Sequence, residues 1–569
     1  MNIIGINSFH PDASACLIQN GKLVFAIEEE RLNRKKHYYG FPINSIHSCL
    51  KFANLEIDEI DFVCINSNSS KNFLNKLFFI LKNFNIKFLI SKFNYKINNR
   101  NIENLFYNEL KTKKKPKFLY FDHHLSHLAS SFMTSNFKEA CCISVDGFGD
   151  FVSTTLGYGK ENDIKIDDKV YFPNSLGIFY QSLTQFLGFK NYGDEYKLMG
   201  LSSYGRPKYV KQISKIIDFD NKNFYFLNLK YFNHHKKFDG ENTVKGNSQL
   251  FNDDIEEILG KKRLSSEKIN QYHMDLACSV QRKYEDIFFH ILNYGYEKYN
   301  NENLTLSGGC AQNSLANGKI KKLTKFKNVF VPSSPGDAGG SIGSAILGSL
   351  KINKFFFSNN SPYLGSFFKN EQIEKILSKF EKKIVFKKFS DEDLIKTVAI
   401  KLSENNVVGW FSGRSEWGPR ALGNRSILCN PSLHNAKDLL NEKIKFREMF
   451  RPFAPSILEE EAKNWFEIGN EKLPFMSMVV EAKREKKELI PSVVHIDGTS
   501  RVQTVNYKDN PKYYSLIKEF FKITKIPILL NTSFNENEPI VNTPEEAINC
   551  YLRTKIDFLI LENYLISRI

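Results

Sequence analysis

Two histidines and two aspartates in the first two-thirds of the chain are candidates for metal chemistry. His123 and His127 stand four residues apart in Phe-Asp-His-His-Leu-Ser-His, a spacing that places both imidazoles on one face of a helix. Asp146 and Asp337 each follow an apolar run and stand in a glycine-rich turn. Imidazoles and carboxylates together bind divalent metals. The pattern predicts a metal site, against the alternative that the histidines only cap and pack a helix.

Glycine-rich loops that could close on phosphate oxygens follow predicted strands at 5–14, 146–150, 307–313 and 336–343. Glycine lets backbone N–H groups approach an anion, and a helix N-terminus adds a favourable dipole. The residues expected to bind nucleotide in these loops are Asp12, Gly147, Gly308, Gly309, Asn313, Gly336 and Gly339. One such loop is a weak signal, but four in this order resemble the actin-like ATPase fold, in which a nucleotide lies between two related subdomains.

The elements that must position these residues follow from apolar runs and turn signals. Asn20-Gly21 predicts a β-hairpin. Strands are expected at 61–66, 117–121, 140–145, 151–158, 304–306, 328–331, 407–411 and 526–530, and helices at 42–53, 268–299 and 341–350. A Ser-Asn-Asn-Ser-Pro break predicts a domain boundary, giving domains 1–354 and 355–569.

The bulk composition excludes several classes of protein. The 569 residues are too many for one core, so two or more domains are expected. The formal charge is +16, but the lysines are scattered, so the charge alone does not indicate nucleic acid. Nine cysteines without a CxxC pair indicate a reduced, cytosolic protein. With no signal-like leader and no uncharged span, we expect a cytoplasmic protein without a membrane partner.

Arginines in the second half stand at glycine turns and inside apolar motifs such as Trp-Gly-Pro-Arg-Ala-Leu-Gly. They are Arg414, Arg420, Arg425, Arg447, Arg451 and Arg501. Any one of them alone would be interpreted as a surface residue. A guanidinium in an apolar setting needs an anion, and its planar fork matches phosphate or carboxylate. Together they predict a pocket for a small phosphate compound.

Longer motifs resemble the NodU/CmcH-type O-carbamoyltransferases over nearly the whole chain. They are the histidine motif at 123–127, Ser-Val-Asp-Gly at 144–147, Gly-Asp-Glu-Tyr-Lys at 193–197, Ser-Gly-Gly-Cys-Ala-Gln-Asn at 307–313, Pro-Gly-Asp-Ala-Gly-Gly at 335–340, Trp-Gly-Pro-Arg at 417–420, Arg-Pro-Phe-Ala-Pro at 451–455, Asp-Gly-Thr-Ser-Arg at 497–501 and Asn-Thr-Ser-Phe-Asn at 531–535. One departure is Leu-Ser-Ser-Tyr-Gly at 201–205, where the family pattern has Ala-Pro-Tyr-Gly.

The resemblance implies an α/β and α+β protein: an actin-like ATPase-fold N-terminal domain with two subdomains, then a YrdC-like α/β C-terminal domain. It maps the metal to His123, His127, Asp146 and Asp337, with Fe²⁺ favoured over Mn²⁺, Zn²⁺ or Mg²⁺. It places His10 and Lys36 at the carbamoyl-transfer site. In the C-terminal domain Arg420 and Arg501 would be catalytic, and Asn531, Thr532 and Ser533 would contact nucleotide or carbamate.

The implied reaction makes carbamoyl adenylate from carbamoyl phosphate and ATP, and then carbamoylates a hydroxyl of a sugar, a glycan precursor or a secondary metabolite. Neither nucleic acid nor a membrane is expected as a partner, and a homodimer is possible. Three alternatives stay open: a tRNA threonylcarbamoyl-type modification enzyme, an actin-fold sugar kinase and a non-catalytic binding protein. The first would bind tRNA in moderate salt, and the second would release ADP without carbamoyl phosphate.

Overall fold

A computed structural model describes residues 1–83, 102–220, 222–236, 240–353, 355–434, 436, 440–445, 451, 453–469 and 471–569. The chain forms two compact units, one of residues 1–30 and 37–360 and the other of residues 31–36 and 361–569. The short segment 31–36 therefore belongs to the second unit, although the sequence-based division places it in the first domain. Within the second unit, Arg31 Nη2 donates to the carbonyl of Gly418 over 2.7 Å, and Arg34 Nη1 donates to that of Ile540 over 2.8 Å.

The first unit alternates strands and helices. Its strands are β1 (Asn2–Asn7), β2 (Ser14–Gln19), β3 (Lys22–Glu28), β4 (Phe62–Ile65), β5 (Lys117–Tyr120), β6 (Glu139–Gly149), β7 (Val152–Lys160), β8 (Asp163–Tyr171), β9 (Ile217–Asp218), β10 (Phe226–Leu227), β11 (Asn303–Ser307) and β12 (Asn328–Phe330). Its helices are α1 (Glu30–Asn33), which continues into the second unit, α2 (Ile43–Ala53), α3 (Phe73–Asn83), α4 (Ile102–Leu110), α5 (His123–Phe132), α6 (Leu176–Phe186), α7 (Glu195–Ser202), α8 (Val210–Ile213), α9 (Gly240–Val244), α10 (Glu256–Leu259), α11 (Gln271–Tyr299), α12 (Ser314–Asn317), α13 (Ile320–Leu323) and α14 (Gly339–Asn353).

Two five-stranded sheets of the first unit share one topology. The first has the order β3-β2-β1-β4-β5 and the second the order β8-β7-β6-β11-β12. In each, the first three strands in chain order form an antiparallel meander, and the last two are parallel to the first strand. This repeat confirms the expected actin-like domain of two related subdomains.

Most predicted elements around the site are confirmed, with one informative difference. The hairpin β2–β3 turns at Asn20 and Gly21, whose φ angles of 47° and 76° suit these two residue types. Asp146 was expected in a turn after a strand, but β6 continues through it to Gly149 and is irregular between Val145 and Gly149. Asp146 therefore lies within an irregular stretch of the strand, where a bulge breaks the regular pairing with β7.

The second unit is built on an eight-stranded mixed sheet of order β13-β22-β21-β14-β15-β20-β16-β19. Its strands are β13 (Ile384–Lys388), β14 (Val408–Phe411), β15 (Arg425–Cys429), β16 (Ala454–Leu458), β17 (Val480–Glu481), β18 (Thr499–Ser500), β19 (Gln503–Val505), β20 (Ile528–Ser533), β21 (Phe558–Leu561) and β22 (Tyr564–Arg568). Its helices are α15 (Asn370–Leu377), α16 (Asp391–Ser403), α17 (Ala462–Trp465), α18 (Pro511–Thr524) and α19 (Pro544–Arg553). Helices α16 and α18 pack together over a core that includes Trp410 and Tyr513, which confirms the α/β architecture.

All nine cysteines are free thiols, as the reduced composition predicts. Among the described helices, none combines the length and the apolarity that crossing a membrane requires.

Candidate active site

His123 and His127, the histidines predicted to bind metal, lie in the first turns of α5, and two carboxylates fix the start of this helix. The carboxylate of Asp122 caps the helix by accepting from the N–H of Leu125 over 3.0 Å. The carboxylate of Asp150 accepts from the N–H of His123 over 2.9 Å. Both imidazole rings are fully buried. The predicted shared helix face is therefore confirmed, and it points into the protein.

Two imidazoles and two carboxylates converge on one point. The Nε2 atoms of His123 and His127 are 3.1 Å apart. They lie 3.4 and 3.9 Å from Asp146 Oδ2, and 3.4 and 3.3 Å from Asp337 Oδ1. One ligand atom from each residue lies within 4.8 Å of all the others. Asp337 Oδ1 is buried and accepts no hydrogen bond from the described residues. This donor set fits a divalent cation.

The two buried carboxylates of the cluster favour a positive charge beside them, either on an imidazole or on a bound cation. Burial alone would lower the pKa of His123, but the carboxylates of Asp146 and Asp337 raise it well above its ordinary value. Burial would raise the pKa of Asp337, but His10, His123 and His127 hold it well below the usual range. The two carboxylates thus stay ionised in a buried place, which is stable only with a cation or protonated imidazole beside them.

Glycines leave the space that the cluster needs. A Cβ atom at Gly149 would lie 1.9 Å from Cδ2 of His123, so the imidazole occupies the place of a side chain. Gly309 donates its N–H to Asp146 Oδ1 over 2.7 Å. Gly308 has a φ of 84°, and a Cβ there would lie 2.3 Å from the Val145 carbonyl. A Cβ at Gly147, by contrast, would have no heavy atom within 4 Å.

The second carboxylate, that of Asp337, is supplied by the loop before α14. The N–H of Gly339 donates to the carbonyl of Gly336 over 2.9 Å, and a Cβ at Gly339 would lie 2.3 Å from the Ser334 carbonyl. A Cβ at Gly343 would lie 1.8 Å from the Ser126 carbonyl. The small residues of α14 therefore let it approach α5 closely, which brings Asp337 to the histidines.

His10 joins this cluster. Its ring centroid lies 5.1 Å from that of His123, and its Nδ1 lies 3.6 Å from Asp337 Oδ2. The ring is partly exposed, with 24% of its side-chain surface open to solvent. His10 is therefore the imidazole of this group that is exposed to solvent, whereas His123 and His127 are buried. Asp12, predicted to bind nucleotide, has its carboxylate Oδ1 instead 2.8 Å from Nδ1 of His37.

A second polar group lies around His37. Burial would lower its pKa, but the carboxylates of Asp12, Glu30 and Glu195 raise it to about 9. Glu30 also accepts from the His37 N–H over 2.9 Å. Burial raises the pKa of Glu195, at the start of α7, to about 7. The ring of His37 packs edge-on against Tyr192 at 5.3 Å. The sequence points to Asp12 as a nucleotide contact, to His37 beside Lys36 near the transfer site and to Glu195 in the 193–197 motif, but it does not single out Glu30 or Tyr192.

Other predicted residues make contacts within their own parts of the fold. Asn313 caps α12 and exchanges hydrogen bonds with Gln281 at 3.0 and 3.2 Å. Lys36 belongs to the segment 31–36 of the second unit. His124, between the two ligands, bonds to Ser144 Oγ and to the Val152 carbonyl, and burial lowers its pKa to about 3.

In the second unit, Arg425 is fully buried on β15 and serves the fold. Its guanidinium carbon lies 3.5 Å from the ring centroid of Phe411. Its N–H groups donate over 3.0–3.2 Å to the carbonyls of Ser412, Gly413, Asn424 and Ser366. Arg414 likewise donates to the carbonyls of Gly365 and Leu364. Both side chains organise the loops at 364–366 and 412–414.

The other predicted C-terminal residues are spread over several elements. Arg420, Arg451 and Arg501 are half-buried in loops, and Arg447 lies outside the described residues. Asn531, Thr532 and Ser533 end β20. The amide of Asn531 donates to Ser456 Oγ over 3.0 Å and to the Ala421 carbonyl over 3.3 Å.

Sequence reasoning missed Lys445. Its side chain is buried, and its ammonium donates to the carbonyl of Asn535 over 2.7 Å and to Oδ1 of Asn535 over 2.6 Å. It also donates to the carbonyl of Ser533. A buried ammonium beside the end of β20 places a positive charge among the predicted nucleotide contacts. The basic run at 443–447 was the available signal, but lysine is so frequent in this chain that the run did not stand out.

Comparison with known proteins covers both units. The family model described as Carbamoyltransferase N-terminus matches residues 2–346, and that described as Carbamoyltransferase C-terminus matches residues 399–568. An uncharacterized Synechocystis protein, sll1178, is 36% identical over all of this chain and 97% of its own length. Nodulation protein NolNO of Sinorhizobium fredii is 34% identical over 99% of this chain and 80% of its own. Among solved structures, HypF of T. kodakarensis is 16% identical over 63% of this chain and 49% of its own, with a TM-score of 0.32.

Proposed function

The chain belongs to the carbamoyltransferase family, and we propose that it is an ATP-dependent O-carbamoyltransferase that acts through carbamoyl adenylate. Both halves match that family, in agreement with the resemblance seen in the sequence motifs. The proposed mechanism rests on one observation: two imidazoles and two carboxylates converge beside a partly exposed His10. A buried cation site next to a solvent-facing imidazole suits transfer of a group from a phosphate ester to a hydroxyl.

We assign the metal to His123, His127, Asp146 and Asp337. A divalent cation bound there would neutralise the phosphate of a leaving nucleotide and hold it in place. The family resemblance favours Fe²⁺, while the ligand types also suit Mn²⁺, Zn²⁺ or Mg²⁺. Gly309 keeps Asp146 oriented through its N–H, and Asp150 does the same for His123 through the helix start.

His10 is the residue proposed to meet the acceptor. Its imidazole is held between the His123 ring and Asp337 Oδ2, so its position is set by the metal ligands themselves. From there it can orient the acceptor hydroxyl or take its proton as the carbonyl is attacked. The proposed acceptors are a hydroxyl of a sugar, a glycan precursor or a secondary metabolite.

The activation step is proposed for the second unit. A carbamate is a poor electrophile because its nitrogen donates into the carbonyl, and AMP provides a good leaving group. Hydrolysis of carbamoyl phosphate gives carbamate and phosphate, and carbamate with ATP gives carbamoyl adenylate and pyrophosphate. Arg420 and Arg501, with Arg447 and Arg451, are the proposed phosphate contacts. Thr532 and Ser533 would face the nucleotide or carbamate, and the buried ammonium of Lys445 would hold the end of β20 in place through its bonds to Ser533 and Asn535.

Nucleotide turnover tests this proposal. The purified protein is incubated with ATP and Mg²⁺, with and without carbamoyl phosphate, and AMP and pyrophosphate are measured against ADP. AMP and pyrophosphate that depend on carbamoyl phosphate are expected, and Arg420→Ala should abolish them. ADP formed without carbamoyl phosphate would favour a sugar kinase instead. Specific tRNA binding in moderate salt would favour the tRNA-modifying alternative.

A further inference from the structure

Helix α3 exposes a continuous row of large apolar side chains. Phe73, Leu74 and Phe78 have 64%, 75% and 67% of their surface exposed. Leu77 and Leu81 continue the row with 41% and 58%. Residues 73, 77 and 81 are four apart, and residues 74 and 78 are their neighbours, so all five side chains lie on one side of the helix. Contiguous exposed apolar patches of this kind mark an interaction surface.

The opposite side of α3 holds the helix on the first unit. Phe79 is buried, and its ring lies 5.8 Å from that of Phe151 and 4.9 Å from that of Phe172. Just before the helix, the Asn72 side-chain amide donates to the Asp150 carbonyl over 2.8 Å. The exposed row is therefore presented outward by a docked helix, and is not the result of a helix that lacks a place to pack.

The charged residues in the sequence around this row are all of one sign. Lys71 is exposed just before the helix, Lys76 lies within it, and Lys82 is a third lysine of the same segment. In the sequence no acidic residue stands between Asp61 and Glu103. The whole chain carries a formal charge of +16. An apolar helical row in a segment whose charged residues are all cations is typical of a helix that lies in the interface of an anionic membrane.

We propose that α3 is an interfacial helix that seats this protein on an anionic phospholipid surface. Phe73, Leu74, Leu77, Phe78 and Leu81 enter the boundary between headgroups and acyl chains, and the exposed Lys71 remains among the phosphates. A second copy of the chain is a poorer occupant, because a two-fold contact through this row would bring the lysines of both copies together. This revises the expectation that a membrane is not a partner.

The anchor of α3 is shared with the candidate active site. One carboxylate oxygen, Asp150 Oδ2, accepts both from the N–H of Asn68, before α3, and from the N–H of His123. The membrane-facing helix and the first metal ligand are thus fixed to the same residue. If the proposed function holds, its acceptor hydroxyl is one presented at a membrane surface. The binding of lipid itself does not depend on that function.

Vesicle flotation with the full chain tests the proposal. The vesicles are pure phosphatidylcholine or an equal mixture of phosphatidylcholine and phosphatidylglycerol. Binding is expected only to the anionic vesicles and should weaken as salt is raised. Leu74→Gln/Phe78→Gln should weaken it about tenfold or more, because two of the most exposed apolar side chains are lost. Leu264→Gln/Leu323→Gln, which changes leucines that are 53% and 52% exposed elsewhere, should leave it unchanged.

Two results would overturn the proposal. One is flotation that is equal for both vesicle types or unaffected by Leu74→Gln/Phe78→Gln. The other is a wild-type dimer in sedimentation velocity that this variant converts to monomer, which would make the row a contact between copies. Carbamoyl transfer to a water-soluble acceptor, measured without vesicles, separates a failure of the membrane proposal from a failure of the proposed function.

Discussion

The two candidate sites differ in what their polar side chains contact. In the first unit, the imidazoles and carboxylates face one another, and Asp337 Oδ1 accepts no hydrogen bond from the described residues. In the second unit, Arg425 is covered by Phe411 and donates to backbone carbonyls. Nε of Arg425 is also without a hydrogen-bond partner among the described residues, but both terminal nitrogens of its guanidinium donate to carbonyls and so hold loops together. The carboxylate oxygen of Asp337 faces other ionisable side chains instead, which makes it available to a ligand. Residue type within a motif does not separate these roles, but the identity of the contacts does.

The largest effect is expected from removing a metal ligand. His127→Ala should abolish metal binding and lower carbamoyl transfer roughly a thousandfold, because the leaving phosphate loses its counter-charge. Metal content is measured by mass spectrometry, and AMP and pyrophosphate formation should persist because it belongs to the second unit. His47→Ala, on an exposed position of α2, is the control. Full metal content in His127→Ala would remove this residue from the ligand set.

Loss of Arg425 should affect folding before it affects substrate binding. Arg425→Met should lower the free energy of unfolding by about 3 kcal/mol, since it leaves several buried carbonyls without donors. Denaturant unfolding measures this, with the exposed Arg484→Met as the control. An unchanged stability together with a raised KM for carbamoyl phosphate would restore the sequence-based role of Arg425 as a phosphate contact.

The glycines of the Asp-Gly-Phe-Gly turn allow a matched comparison within the first site. Gly149→Ala should displace the His123 imidazole, reduce metal content and destabilise the protein by about 2 kcal/mol, because the new methyl group overlaps the ring. Gly147→Ala adds the same methyl group into open space and should leave the melting temperature and the metal content unchanged. Equal effects of the two substitutions would contradict the geometry of the His123 ring.

The smallest expected effect is on stability, and it concerns the charge of His37. Its pKa rises from 6.5 to about 9 in the folded protein, so the protonated ring stabilises the fold fully below pH 6.5, and this contribution is lost as pH rises through 9. Asp12→Asn should lower that pKa and reduce stability at pH 6 by at most about 1 kcal/mol, because both groups are partly exposed. The stability difference from wild type should shrink towards pH 9. Imidazole NMR titration checks the pKa, and a value that stays near 9 in the variant would exclude Asp12 as its main cause.

The sequence was sufficient for most of the architecture and for the four side chains that converge, His123, His127, Asp146 and Asp337. Apolar runs located the strands, and the i, i+4 spacing of His123 and His127 placed both rings on one helix face. The sequence could not distinguish Arg425 from an arginine that binds phosphate, because some of the carbonyls to which Arg425 donates come from loops distant in the sequence. It also missed Lys445, whose partners on β20 and in the following turn lie about ninety residues away. The roles of Arg425 and Lys445 both depend on tertiary contacts, which a local sequence pattern cannot predict.

The path of the chain through segment 31–36 has an evolutionary consequence. The polypeptide leaves the first unit after Glu30, supplies Arg31 and Arg34 to the second, and returns before it leaves again after residue 360. No single recombination crossover can therefore exchange one unit for that of a relative without also removing a piece of the other. A chimera joined at residue 360 would carry Arg31 and Arg34 with the first unit, and their Gly418 and Ile540 partners would come from another chain.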